Sequence, residues 1–363
     1  MIFTYVRQSI RSLMRTPGYS VAFVLTLGLG IGLNTAIFSV INGVLLAPLP
    51  YRDADRIMYV RQPALRAGVE NLAFSFQEVA EYRERSRTID EFVEYGDWTF
   101  SVVDGGAPHR AVGGLVTSNY FDVLGLRPQL GRSLIRGDDG DAAEPVVVLT
   151  HGYWTRVFNA NPNVLGRTMK LYALTFTQPK LARIVGVLGP GTHYTGKGQQ
   201  DFFANYATNE HYHGASMKEE RDHRMTDVFA RLAPGQTAEA ARAELTSIAA
   251  SLRREFPEAY PEDRGIGLEV APWQEELTRE ARPTFLILMG TVALVLLLAC
   301  ANVANLTLTR LVSRERELAI RAALGASLSA LRRQLLTENL ILSLAGAALG
   351  LFCALYGLDL LVQ

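Results

Sequence analysis

Apolar and polar positions follow two regimes along this chain. Three long stretches, Val21 to Leu46, Thr284 to Thr309 and Leu340 to Leu358, contain no charged residue. About 20 apolar residues cross a hydrocarbon core, and soluble helices rarely run so far without a charge. Membrane helices are therefore predicted within 19–46, 284–309 and 335–358. The first run exceeds the apolar region of a signal peptide, about 7–15 residues, and reads as an uncleaved helix. Ahead of it, Ile2, Phe3, Val6, Ile10, Leu13 and Met14 recur at helical spacing beside Arg7, Arg11 and Arg15. Residues 1–18 thus predict a basic amphipathic helix on the inner leaflet, before Pro17-Gly18 turn the chain into the bilayer.

Between the first two runs the pattern changes to strands and amphipathic helices. "SFQEVAEYRERS" opens with a capping box, Ser75 with Glu78, and a hydrophobic staple, Phe74 with Val79. "DEFVEYGDWTFSVV", "EPVVVLT", "RTMKLYALTF", "LARIVGVL", "TDVFARL" and "GIGLEVAP" read as strands, with turns at Asp104-Gly105-Gly106 and Pro234-Gly235. A helix before the last strand places Ala241, Leu245, Ile248, Leu252 and Phe256 on one face. The expected fold class is a multi-pass α-helical membrane protein with a large α+β extracytoplasmic domain at 47–283. That domain is expected to have two subdomains: a βαβ-type base built from both ends of the segment, and a strand-rich insertion at roughly 108–222.

Past the second run, "SRERELAIRAALGAS" predicts a helix stopping at Gly325, a frequent residue just beyond helix ends. Ser327 is a good N-cap for the helix that follows, and Glu317 with Arg321 form an i, i+4 pair. Residues 310–334 are expected to form a stiff helical hairpin, and 359–363 a short end beyond the third membrane helix.

Charge sets the orientation. The net charge is zero, but it is segregated. Arg7, Arg11 and Arg15 stand without an acid, and 310–334 carries Arg310, Arg314, Arg316, Arg321, Arg332 and Arg333 against Glu315 and Glu317. Segment 47–283 holds 27 basic and 32 acidic residues. Short basic flanks stay in the cytoplasm while long domains cross regardless of charge, so 47–283 is expected outside and the hairpin inside. Cys300 and Cys353 both fall in membrane runs, and the outer segment, large enough to bury its own core, has no cysteine.

Candidate chemistry is sparse. "GTHYTGKG", Gly191 to Gly198, has the glycines and lysine of a phosphate-binding loop but a glycine where a magnesium-binding hydroxyl belongs, and it lies outside, away from ATP. It reads as a glycine-rich turn. His211, His213 and His223 with Glu210 and Glu219 match no standard zinc spacing, and Asp138 to Asp141 lacks the length and closing glutamate of a calcium loop. No metal, cofactor or catalytic residue is assigned, and no nucleic-acid partner. The membrane runs offer packing devices instead. Gly28, Gly30 and Gly32, and Gly346 with Gly350, place small residues on one face, and Asn302 and Asn305 are candidates for bonds across the same interface. The charge-free runs argue against an ion pathway.

"GLGIGLNTAIFSVINGVLLAPLPY" and "SRERELAIRAALGAS...LRRQLLTENLILSLAGAALG" strongly resemble permeases of the MacB/FtsX-like ABC transporter family. "VTSNYFDVLGLRPQLGRSL", "VVVLTHGYWTRVF" and "LGRTMKLYALTFTQPKLARIVGVL" resemble the MacB periplasmic core domain, and the first-helix motif looks most like the duplicated orphan permeases. The resemblance implies a permease of the bacterial cytoplasmic (inner) membrane that has no ATPase of its own. Its hairpin would dock on a cytoplasmic ABC ATPase that uses the ATP. It assigns that coupling role to Arg316, Glu317, Leu318, Ile320, Arg321, Leu324 and Gly325. It also implies a second permease copy or half, and a periplasmic adaptor or partner protein. The family core has four membrane helices and three are read here, so either this sequence is a piece of a longer, duplicated permease or the fourth helix is missing. A regulator of a cell-wall hydrolase and a sensor without transport stay open as alternatives.

Overall fold

Pro17 divides the N-terminal helical run. Its ring fixes a helical φ and its missing N–H is no loss in a first turn, so a new helix starts there. A computed structural model describes the chain apart from residues 1, 43–48, 105–106, 141, 174–177, 193–199, 210–218, 280, 324–327 and 363. The chain forms two compact units, Met1–Ala47 with Thr278–Gln363, and Pro48–Leu277. The first begins with α1 (Ile2–Met14) and α2 (Pro17–Ile41).

The second unit follows as β1 (Ile57–Arg61), α3 (Phe76–Arg85), β2 (Ile89–Val103), β3 (His109–Val116), α4 (Tyr120–Leu124), β4 (Pro128–Gly131) and β5 (Val146–Leu149). It continues through α5 (His151–Phe158), β6 (Thr168–Ala173), β7 (Lys180–Leu188), β8 (Phe202–Ala204), β9 (Asp227–Leu232), α6 (Ala238–Glu255), β10 (Glu269–Pro272) and α7 (Trp273–Arg279). The first unit is completed by α8 (Ala281–Ser313), α9 (Glu315–Ala323) and α10 (Leu328–Val362).

All ten strands share one sheet, ordered β10-β1-β9-β2-β3-β8-β5-β7-β4, with β6 joining β2 and β7. At one end, β1 and β2 run parallel to each other with antiparallel β9 between them, and β9 and β10 flank β1 in the same way. These are two interleaved split β–α–β units, crossed by α3 and α6. Ala241, Leu245, Ile248 and Leu252 of α6 are buried against Val79 and Tyr82 of α3 and the inward residues of β1 and β9. The 15-residue β2 carries the chain out of this base. Its first half pairs with β9 and its second half with β3 and β6. Two further cores, around Phe100, Phe202 and Tyr153 on one face and Tyr120, Phe203 and Phe229 on the other, fill the remainder.

α3 starts where the capping box places it. The Ser75 hydroxyl accepts from the Glu78 N–H, and the Glu78 carboxylate accepts from the Ser75 N–H at 2.8 Å. Phe74 and Val79 pack in the same core. Ser75→Ala should cost about 1 kcal/mol. All three tryptophans (Trp98, Trp154 and Trp273) lie in this unit, so a shifted urea midpoint in tryptophan fluorescence reads that loss directly. An unchanged midpoint would show the cap to be dispensable.

Candidate functional site

The polar centre of the helical unit is built at one end of its long helices. Glu338, buried on α10, faces two guanidinium groups: Arg310 Nη2 of α8 at 3.3 Å and Arg314 Nη1 at 3.0 Å. Gln334, one turn earlier on α10, donates to the other Glu338 oxygen at 3.3 Å. Arg314 sits between α8 and α9 and holds Glu317 of α9 through Nε at 3.2 Å. Arg310 reaches α1 through Ser12 Oγ at 3.3 Å and lies 4.3 Å from the ring centre of Tyr19 on α2, a cation–π distance. Five helices thus meet on one carboxylate and two guanidiniums. Burial works against the Arg314 charge, but the bond to Glu317 and the nearby charges of Glu338 and Glu317 hold its pKa above the usual guanidinium value. It stays a cation and a fixed link.

This cluster changes two sequence expectations. Glu338 lies inside the third span, both as expected at 335–358 and as judged by length and composition from Leu331 to Tyr356, so that span carries a charge although the run Leu340 to Leu358 has none. The hairpin is also less separate than 310–334 implied. α8 continues to Ser313, α9 is a nine-residue piece, and α10 is one helix from Leu328 onward. Of the residues given a coupling role, Arg316, Glu317 and Ile320 are exposed on α9. Leu324 and Gly325 lie outside the described residues, as do the side chains of Leu318 and Arg321.

The glycines bring α2 close to two partners. A Cβ on Gly28 would stand 3.1 Å from the Gly346 carbonyl oxygen, and one on Gly32 would stand 2.9 Å from that of Gly350. One on Gly350 would meet the Gly28 oxygen at 2.6 Å. Gly30 instead faces α8, where a Cβ added to it would stand 3.1 Å from Ala299 Cβ. The single face expected for Gly28, Gly30 and Gly32 is therefore corrected. Two residues turn a helix by about 200°, so only the i, i+4 pair shares a side. Polar bonds across α2 and α8 come from Asn34, whose Nδ2 donates to the Val292 oxygen at 3.1 Å, and from the Tyr19 hydroxyl, 3.4 Å from Thr307 Oγ1. Asn302 and Asn305, expected to make such bonds, are exposed in this chain because their side of α8 does not meet α2.

The remaining sequence candidates fall elsewhere. Gly191 turns the chain after β7 at φ +68°, and Thr192 Oγ1 donates to the Gly189 oxygen at 2.7 Å. The rest of "GTHYTGKG" through Lys197 and Gly198 lies outside the described residues, as do Glu210, His211 and His213. Asp138 is engaged by Arg132 at 2.6 Å, and Asp139 accepts from the Ser118 N–H at 3.0 Å. Among the described residues no group of three or more His, Cys, Asp or Glu is arranged to hold a metal. A polar hollow of about 400 Å³ in Pro48–Leu277 is walled in part by Glu94, Asp139 and Arg83. Burial pushes the Glu94 carboxyl up despite Arg83 at 2.8 Å, and burial raises Asp139 too.

Three helices long and apolar enough to cross a membrane, with a mixed α/β sheet domain inserted after the first, define the class. The MacB-like periplasmic core domain matches residues 20–248, and the FtsX-like permease C-terminal domain matches 289–363. The macrolide export ATP-binding/permease protein MacB of Aggregatibacter actinomycetemcomitans is 23% identical over 65% of this chain, and that of Salmonella paratyphi A is 24% identical over 66%. The chain spans about a third of the length of these curated relatives, 34% in each. The periplasmic region of MacB from Actinobacillus actinomycetemcomitans superposes with a TM-score of 0.46 at 17% identity, over 68% of this chain and 97% of that one. The chain belongs to the MacB/FtsX-like family of ABC transporter permeases, membrane proteins with an extracytoplasmic domain. The matched domains are the permease portion of such systems, not the ATPase.

Proposed function

We propose that this chain is the transmembrane subunit of an ABC-type system that works by transmitting motion, with a cytoplasmic ATPase as partner and ATP consumed there. α2, α8 and α10 cross the bacterial inner membrane, residues 1–18 and the 310–334 hairpin face the cytoplasm, and 47–283 lies outside as two subdomains, the second an insertion at roughly 108–222. The ATPase presses on α9, whose Arg316, Glu317 and Ile320 are exposed. Arg314 passes that displacement to Glu338 on α10, and the Gly28/Gly32–Gly346/Gly350 contact passes it to α2. α2 and α8 lead in sequence into the outer domain, which grips or releases a substrate or partner protein. A second permease copy or half completes the membrane part. The observation that carries this reading is a short exposed helix bonded straight to the buried charge cluster that ties the long helices together.

Glu317→Lys combined with Arg321→Glu should reduce the partner ATPase from its permease-stimulated rate to its basal rate, with membrane insertion intact. Ile320→Asp should do the same while leaving the Arg314 bonds untouched. ATPase assays with purified partner in proteoliposomes measure both. Stimulation unchanged in both variants would reject the coupling role.

A further inference from the structure

Beside the Glu338 cluster is a cavity of about 390 Å³ whose walls include Arg11 of α1, Arg15 in the turn just after it, Arg310 of α8 and Arg314. Among the described residues Glu317 is its one lining carboxylate. The side chains of Arg11 and Arg15, one helical turn apart, make no hydrogen bond or ion pair with any described residue. Arg310 Nε is buried without an acceptor among the described residues. Glu338 and Glu317 balance Arg310 and Arg314, so the exposed Arg11 and Arg15 leave the hollow with a net positive charge and with donors free to take an anion. The level of the cavity in the fold narrows the choice of anion. The apolar spans end at Pro17, Ser313 and Leu331, within a few residues of Arg15, Arg314 and Gln334, all of which line the hollow. This is headgroup depth, where basic pockets between membrane helices take anionic lipids. Planar guanidiniums match two phosphate oxygens at once, which the compact ammonium of lysine does not.

We propose that this cavity is a binding site for a phosphate group, and that the source is the phosphodiester of an anionic phospholipid. Held there, the lipid neutralises the free Arg11 and Arg15 and pins α1 to the end of α8, next to the link that runs through Arg314 into α9. The inference rests on the membrane reading of α2, α8 and α10, but not on any ATPase partner.

The test is native mass spectrometry of the full chain extracted from nanodiscs of mixed phosphatidylglycerol and phosphatidylcholine. Wild type should retain one phosphatidylglycerol in preference to phosphatidylcholine. Arg11→Gln with Arg15→Gln should weaken that retention about tenfold, because these arginines have no internal partner whose loss would disturb folding. Arg7→Gln removes one positive charge, half that of the double variant, from an exposed site on α1 that does not line the cavity, and should leave retention unchanged. Equal losses in both variants would mean diffuse surface attraction and overturn the site. Displacement of the lipid by excess inorganic phosphate would assign the cavity to soluble phosphate and overturn the lipid source. A chain that stays in the disc but shows no lipid preference defeats the site alone, whereas a chain that leaves the disc defeats the membrane reading as well.

Discussion

Arg224→Ala should destabilise the Pro48–Leu277 unit by about 3–5 kcal/mol, the usual cost of leaving one member of a buried ion pair alone. For a domain of this size that corresponds to a melting point about 10 °C lower. Glu78 is wholly enclosed, and its Oε1 takes Arg224 Nη2 at 2.8 Å while Oε2 takes the Ser75 N–H at 2.8 Å. Arg224 also donates to the Ala259 oxygen at 3.1 Å and stands 5.2 Å from the Tyr260 ring centre. Its loss strips the counter-ion from a carboxylate that water cannot reach, at the start of α3 and in the main core of the base. The double variant Arg224→Met with Glu78→Gln removes both charges and should recover a good part of the loss, since the penalty lies in the unpaired charge more than in the missing bond. Tryptophan fluorescence during heating resolves the three proteins. A single variant within a degree or two of wild type would place this pair outside the stabilising core.

The same residues show what is readable from sequence. The α3 cap is legible because both halves of it, Ser75 and Glu78, lie three residues apart and bond to each other's backbone. The α6 face and strands β5, β6, β7 and β9 are legible for the same reason, since periodicity and turn residues act locally. β3 is not. Gly113 and Gly114 weaken any strand signal there, and their cause is distant: a Cβ on Gly113 would lie 2.7 Å from the Phe202 ring and one on Gly114 would lie 2.8 Å from that of Phe203. Those rings come from β8, the parallel neighbour of β3, far along the chain. Nor does sequence show that β2 serves both ends of one sheet, because its partners β9, β3 and β6 are chosen by tertiary packing. The membrane end divides in the same way. The apolar runs are plain, and the Arg316–Ala326 stretch is visible through its family resemblance. Arg310 and Arg314 carry only an orientation signal in the sequence. Their role in binding Glu338 emerges only when α8 and α10 stand side by side, although a lone acid at the edge of an apolar run, opposite a basic flank, is the available hint.

Glu338→Ala should therefore be the most damaging single change in the helical unit. It leaves Arg310 and Arg314 facing each other in a poorly solvated corner, with about 3–5 kcal/mol lost for a broken buried pair. α9 would lose its tie to α10, because Arg314 is the residue that holds both Glu317 and Glu338. Trypsin should then cut at Arg316, already exposed on α9, about tenfold faster in inside-out vesicles, the expected consequence of a local opening made easier by about 1.4 kcal/mol or more. Glu338→Gln keeps the shape and one set of lone pairs, and should fall between alanine and wild type. Glu338→Ala with Arg314→Met removes the repulsion but not the missing link. That pair should restore the yield of folded protein while leaving the cut fast, because stability depends on the balance of charge and the tethering of α9 depends on the bond itself. Slow cleavage in the double variant would show that α9 is held by its own helical ends and that the carboxylate serves packing alone.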